Sequence, residues 1–316
     1  MSIHEYDFLD PKNFNLNNSP SESTEDINDG LNHLAKSGFV VLKNAIDTNI
    51  IKQLSDVFYS DILNSQNRLP RIQGYRVLEK NNFTCHGHMS NALMNMQLEN
   101  PASFSDKENQ LTNLVLQLIT DGKHIELIKH ALGYEKLEIL TWNLFHSVSP
   151  CTPPHQDCVF FNPAIGLLEL LGVWIALEDI DSQASPLYVQ RGSHIYLRRQ
   201  TKEFKSITPH YRNFFRENLK SNLNDIAIPM LKAGDCIIWD ARTVHGSLIK
   251  TDPTASRLSI TAHFTGRDTS LISKLFKMNS KNAVSRAKKR FIDSLQIKKC
   301  ETSQNITFLS HRNRFQ

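Results

Sequence analysis

The chain has 316 residues, of which 40% are hydrophobic and 22% charged, with a formal net charge of +4. This is the composition of an ordinary globular protein, and no run approaches the 18 or more apolar residues that a membrane span needs. The charge is uneven: residues 267–316 hold 12 Lys and Arg against 3 Asp and Glu, and residues 1–266 hold 24 against 29, so basicity belongs to the tail and nucleic-acid binding by the body is not expected.

In chain order, Met1-Ser2-Ile3-His4-Glu5-Tyr6-Asp7 has neither the basic nor the apolar region of a secretory leader. Residues 1–24 crowd Asn13, Asn15, Asn17 and Asn18 together and predict a flexible, surface-draped tail. Ser23-Thr24-Glu25-Asp26 caps a short helix through Leu31, Leu34 and Ala35, which Gly38 ends. Phe39 to Lys43 reads as a strand, and Asp47 caps a second helix with Ile51, Leu54, Val57, Phe58 and Ile62 on one face. Residues 66–100 show no clean period, and their His86, His88 and Cys85 read as a polar loop, with a substrate lid as the expectation. Two amphipathic helices follow, one through Leu111, Leu114, Val115, Leu118 and Ile119, the other from Ile125 to Leu132 and ended by Gly133.

From Lys136 the pattern changes to strands: Leu137 to Phe145, His155 to Phe161, Leu168 to Leu177, Pro186 to Gln190, Ile226 to Met230, Cys236 to Trp239, Val244 to Ile249 and Leu258 to Phe264. The fold class predicted is mainly β with flanking helices, around a double-stranded β-helix core of jelly-roll, cupin-like type. The insert from Ile195 to Asn224 is helical at its centre. Residues 25–268 form the main domain, and 269–316 a basic helical extension with a solvated cationic face or an anionic partner. Five cysteines at 85, 151, 158, 236 and 300, without C-x-x-C spacing, suggest reduced thiols and a cytoplasmic protein. Cys158 reads as a small buried hydrophobe.

Chemistry concentrates at Pro153-Pro154-His155-Gln156-Asp157. On an extended strand, residues two apart share a face, so His155 and Asp157 would aim at one point. His-x-Asp alone is a weak signal. His245 follows a second strand, and Arg257 lies on the next. Two histidines and one carboxylate on a β scaffold match the facial triad of non-haem Fe(II) oxygenases, which leaves three positions open. The plain alternative is two structural histidines and a turn carboxylate.

Six ordered blocks carry a resemblance: Gly38 to Lys43, Pro154 to Asp157, Val173 to Leu177, Gly192-Ser193-His194, Ala233-Gly234-Asp235 and His245-Gly246-Ser247, followed by Arg257. With them the chain resembles the phytanoyl-CoA dioxygenase family of Fe(II)/2-oxoglutarate oxygenases. The resemblance implies Fe(II), 2-oxoglutarate and O2 as cofactors, and His155, Asp157 and His245 as catalytic metal ligands. Arg257 suits the distal carboxylate of 2-oxoglutarate, because a guanidinium forks a carboxylate where Lys cannot. Ser247, or alternatively Ser259, would donate a second hydrogen bond to it. Trp174 would wall the cosubstrate side, a role compatible with core packing. His146 and Asn143 stand where relatives place a basic or polar group, and the usual Lys is absent. Arg191 stands where relatives have Pro, and Ser185 where they have Gly. Halogenating relatives lack the carboxylate, so Asp157 argues for hydroxylation of a small-molecule substrate. Two alternatives are a cupin-type isomerase or binding protein without 2-oxoglutarate and an oxygenase-fold interaction protein; neither needs the full set of three ligands and Arg257.

Overall fold

A computed structural model describes residues 3–17, 19–63, 70–73, 77–80, 83–90, 92–94, 106–159, 170–197, 207–266, 297–301 and 306–311. Its centre is three neighbouring strands, β6 (Leu137–Phe145), β12 (Ser259–Gly266) and β7 (Leu170–Ala176), with β12 paired antiparallel to both. Strand alternation sorts their side chains into two sets. Trp142, Leu144, Val173, Ile175, Ile260 and Ala262 join one apolar cluster with the helices. Thr141, Asn143, Phe145, Trp174, Thr261 and His263 line a cavity on the other side. A register shift between His263 and Phe264 interrupts the β12–β6 pairing.

The helices cover the first face. They are α1 (Ile27–Ser37), α2 (Thr48–Val57), α3 (Asp106–Thr120) and α4 (Lys123–Leu132). Their starts and stops follow the expected chemistry. Asp26 and Asp47 accept from backbone N–H groups at the N-termini of α1 and α2. Gly38 and Gly133 close α1 and α4 in the left-handed conformation that suits glycine. At Gly38 a Cβ would lie 2.4 Å from His194 Nδ1, so no side chain is accommodated there.

The same sheet continues through β10 (Cys236–Asp240), β2 (Phe39–Leu42) and β1 (Ser23–Thr24) on one side, and β5 (Leu93–Met94) also pairs with β6. A second, three-stranded sheet consists of β11 (His245–Ser247), β8 (Leu187–Gln190) and β9 (Ile226–Ala227). Phe39, Val41, Trp174, Ala176, Ile237 and Trp239 of the large sheet pack with Leu187 and Val189 of the small one. The short α5 (Ser193–Tyr196) follows β8, and α6 (Pro209–Ser221) lies beyond it. Tyr211, Phe215 and Leu219 of α6 form a third cluster with Tyr188 and Val244. The architecture is thus mixed sheets with flanking helices.

Four expectations need correction or restriction. The N-terminal segment is docked rather than flexible: Tyr6 and Leu9 are buried, Ile249 N–H donates to Leu9 O at 3.0 Å, and Arg191 pairs with buried Glu22 at 2.7 Å. Apolar residues three apart anchor this otherwise polar stretch. The strand expected over 155–161 is a single bridge at His155 followed by a turn; residues 160 and 161 lie outside the described ones. Within 66–100, β3 (Pro70–Gln73) and β4 (Val77–Lys80) pair as a hairpin, and Cys85 and His86 sit on an exposed turn. Much of the lid expectation lies outside the described residues. Finally, the described parts of the 269–316 extension, residues 297–301 and 306–311, are strands, not helices; the rest of the helical expectation lies outside the described residues. β13 (Ile297–Glu301) pairs with β14 (Ile306–His311), whose Ile306 and Thr307 add in parallel to β6.

Ile306 is fully buried in the helix-side cluster. Ile306→Ala is therefore expected to lower unfolding free energy by about 2–5 kcal/mol, the cost of emptying a core site. Urea denaturation of the full chain measures it. A change within about 0.5 kcal/mol, the range of ordinary surface substitutions, would mean that this strand is not docked.

Candidate metal centre

Two histidines face each other across one bridge. His155 N–H donates to His245 O and His245 N–H to His155 O, both at 3.0 Å, bringing the ring centroids to 4.2 Å. Beyond this bridge the ladder stops. Gln156 N–H bonds to the Tyr211 hydroxyl of α6 at 2.9 Å, and Cys158 N–H to Ala241 O at 3.0 Å. The chain turns here, and Asp157 reaches the histidines from a turn rather than by strand alternation.

His155 Nδ1 lies 2.8 Å from Pro153 O, and His245 Nδ1 lies 3.0 Å from Thr243 O. A carbonyl only accepts, so each Nδ1 carries the hydrogen and each Nε2 presents a lone pair. Both Nε2 atoms point at Asp157 Oδ1, at 3.7 Å from His155 and 3.6 Å from His245. The three donor atoms lie within 4.8 Å of one another and can hold one metal ion. Burial lowers the His245 pKa to about 4 against the opposing pull of Asp157, so the ring is neutral and a competent ligand at pH 7. Burial would raise the Asp157 pKa, but His245, His263 and His155 together hold it well below the usual carboxylate range. Two neutral imidazoles and an ionised carboxylate suit Fe(II).

The other oxygen of Asp157 has its own partners. Trp239 Nε1 donates to Oδ2 at 2.7 Å, and His263 Nε2 lies 3.0 Å from it. Sequence reasoning missed both residues. The available signals were a histidine inside an apolar strand and Gly172, which is paired with Trp239 on one side and His263 on the other.

A cavity of about 430 Å³ opens on the donors and is lined also by Trp174, Leu187, Arg257 and the polar row Thr141, Asn143 and Thr261. Its size is that of a small-molecule site. Arg257 is buried, and its guanidinium carbon lies 5.6 Å from the centroid of the Trp174 ring. Its Nη1 donates to Ser185 O. Its Nε has no hydrogen-bond partner among the described residues. Burial lowers its pKa to about 10, so the side chain is still a cation at pH 7. A buried cation with an unused donor beside a metal-ligand set fits a carboxylate that chelates the metal at its other end.

The remaining expected residues fall in different places. Ser185 adopts φ +67°, the left-handed region that favours glycine, and its carbonyl accepts from Arg257 Nη1. Its hydroxyl lies 2.7 Å from Leu248 O and 2.8 Å from Ser247 Oγ. The single hydroxyl proton of Ser185 satisfies the carbonyl, so Ser247 donates to Ser185 while accepting from Thr152 N–H at 2.6 Å. Ser247 is thereby occupied in tying three segments together and is not part of the cavity lining. Ser259 donates to Arg257 O at 3.2 Å and also stands behind the wall. Asn143 lines the cavity; His146 turns away, with Nδ1 accepting from Met89 N–H at 3.1 Å.

The sequence profile of the phytanoyl-CoA dioxygenase (PhyH) family matches residues 34–252, a span that holds all three metal donors. The chain belongs to this family. Fe(II) and 2-oxoglutarate are accordingly its cofactors, in agreement with the His–Asp–His set. Among solved structures it is similar to EctD from S. alaskensis with 2-oxoglutarate and 5-hydroxyectoine, with TM-score 0.52 and 13% identity over 76% of each chain. It is also similar to the epimerase SnoN in complex with Fe3+, alpha ketoglutarate and nogalamycin RO, with TM-score 0.51 and 16% identity over 76% of this chain and 83% of that one. At these identities the likeness is one of fold. No curated protein sequence matches the chain. Among the described residues no helix is long and apolar enough to cross a membrane.

Proposed function

We propose that this chain is an Fe(II)/2-oxoglutarate-dependent dioxygenase that hydroxylates a small-molecule or lipid-like metabolite in the cytoplasm. Its core would be the jelly roll of the family, formed by the large and small sheets. The observation that carries the reading is one cavity holding both an open-faced donor set and a buried arginine with an unused N–H.

In this reading His155 Nε2, His245 Nε2 and Asp157 Oδ1 hold the metal, and Arg257 forks the distal carboxylate of 2-oxoglutarate. Bound iron with 2-oxoglutarate and O2 supplies an oxidant for a substrate C–H bond, with succinate and CO2 as coproducts. The residues contribute position and shelter. Trp174 stacks on the arginine and limits its rotamers, Leu187 closes the apolar side, and Thr141, Asn143 and Thr261 offer neutral hydrogen-bonding groups to the substrate. Burial of Asp157 and His245 limits the access of bulk water to the reacting centre. Retention of Asp157 leaves no room for a halide on the metal, which supports hydroxylation over halogenation. The basic stretch 269–316 would contact an anionic partner.

Iron-loaded protein with 2-oxoglutarate and O2 is expected to release succinate slowly alone and faster when a metabolite library contains the substrate, one succinate per oxidised product. Iron-loaded protein that forms no succinate under any of these conditions would replace this reading with a cupin-type metalloprotein that makes no use of 2-oxoglutarate.

A further inference from the structure

Asp157 is held at its far oxygen by two groups that no part of the ligand set requires. Trp239 Nε1 stands 2.7 Å and His263 Nε2 3.0 Å from Oδ2, whereas Oδ1 faces the two histidine ligands. A carboxylate that ligates a metal is ionised and only accepts, so His263 would carry its hydrogen on Nε2. A carboxylate oxygen has two in-plane lone pairs. Two donors occupy both on Oδ2.

The geometry points to a two-donor clamp, Trp239 and His263, that fixes Asp157 as a one-oxygen metal ligand. This inference rests on the metal-site reading above and adds a coordination count to it. With Fe(II) bound, His155, His245 and one oxygen of Asp157 would supply three donors and leave room on the metal for a chelating 2-oxo acid and O2. A carboxylate binding through both oxygens would supply a fourth donor and leave too little.

The sheet is built to make the clamp possible. Trp239, Gly172, His263 and Thr141 sit in one cross-strand row of β10, β7, β12 and β6. Gly172 stands between the two donors. A Cβ on it would lie 2.3 Å from Trp239 Cε2 and 2.5 Å from Nε1, so any side chain there would push the indole off the carboxylate. Trp239 also packs 4.7 Å from the His245 ring, tying the clamp to a second ligand. Trp239 and His263 are positioning residues that act through Asp157.

The test is the Fe(II) dissociation constant, measured anaerobically by competition with a chromogenic chelator on the full chain. Trp239→Phe keeps an aromatic ring and removes only the N–H, and His263→Leu removes the other donor. Each is expected to weaken Fe(II) binding about tenfold, and both together about 100-fold, the range seen when partners of metal ligands are lost. His263→Gln keeps an N–H donor at the end of the side chain and should recover affinity to within about threefold of wild type. Melting temperatures of the metal-free variants separate loss of the clamp from loss of fold, and Trp239→Phe alone carries the test should His263→Leu disturb folding. Folded Trp239→Phe protein with wild-type Fe(II) affinity would overturn the clamp, as would His263→Gln binding as weakly as His263→Leu. Wild-type protein that binds Fe(II) but not 2-oxoglutarate would sink the oxygenase reading and leave the clamp standing.

Discussion

Alanine at His155, Asp157 or His245 is expected to abolish turnover and reduce Fe(II) occupancy to background while the chain stays folded. Each substitution removes one of the three donors that the described residues bring together. The fold does not depend on the ion, because the large sheet, its helices and the C-terminal strand bury an apolar cluster that shares no residue with the cavity wall. A structural metal would behave differently, since losing its ligands unfolds the domain. The three variants should not be equal in stability. Asp157→Ala strands the N–H groups of Trp239 and His263, at a cost of about 1–3 kcal/mol for each buried donor left unpaired. Metal-free melting curves beside an iron assay test this. Losses of tens of degrees in all three variants would make the centre a structural site.

The second large effect is at the far end of the cosubstrate. Arg257→Lys should weaken 2-oxoglutarate binding by about 2–4 kcal/mol, because a planar fork becomes a point charge in a buried site. The surroundings of Arg257 sharpen this expectation. The guanidinium carbon lies 5.6 Å from the centroid of the Trp174 ring, Ser185 O takes Nη1, and Arg257 is part of the cavity wall. A lysine ammonium can replace neither the stacking nor the second hydrogen bond. Fe(II) affinity should be unchanged, since Arg257 contributes no metal donor. Calorimetry of 2-oxoglutarate with the anaerobic Fe(II) protein measures the change. Arg257→Lys binding within about threefold of wild type would remove the arginine from the cosubstrate site.

Much of this arrangement was legible because it follows local rules. Asp26, Asp47, Gly38 and Gly133 mark helix ends in the sequence and cap them in the structure. The alternation in β12, with Ile260, Ala262 and Phe264 against Thr261 and His263, shows which face meets the helices and which the cavity. Asp157 was rightly grouped with His155, for the wrong geometric reason. Alternation requires a continuing ladder, and here the Tyr211 hydroxyl takes the Gln156 N–H instead. That contact comes from a helix 55 residues away, beyond any local pattern. Trp239 and His263 were hidden for the same reason, being 82 and 106 residues from the carboxylate they hold. Ser247 was expected to face the cosubstrate, and its hydroxyl here is engaged with Ser185 and Thr152, partners 62 and 95 residues away. In the C-terminal extension the abundance of Lys and Arg suggested a solvated helix and masked the short apolar run Ile306-Thr307-Phe308-Leu309, part of the strand that joins β6.

If one cavity holds Fe(II) on His155, Asp157 and His245, 2-oxoglutarate added to the iron-loaded protein should chelate that metal. Keto-acid chelation of Fe(II) produces a visible charge-transfer band, so the most direct measurement is an anaerobic titration of the Fe(II) protein with 2-oxoglutarate. Wild type should develop the band and saturate at one 2-oxoglutarate per chain. His155→Ala should give none, and Arg257→Lys should need a far higher concentration. Wild-type protein that holds Fe(II) yet shows neither a band nor heat of binding would contradict the account.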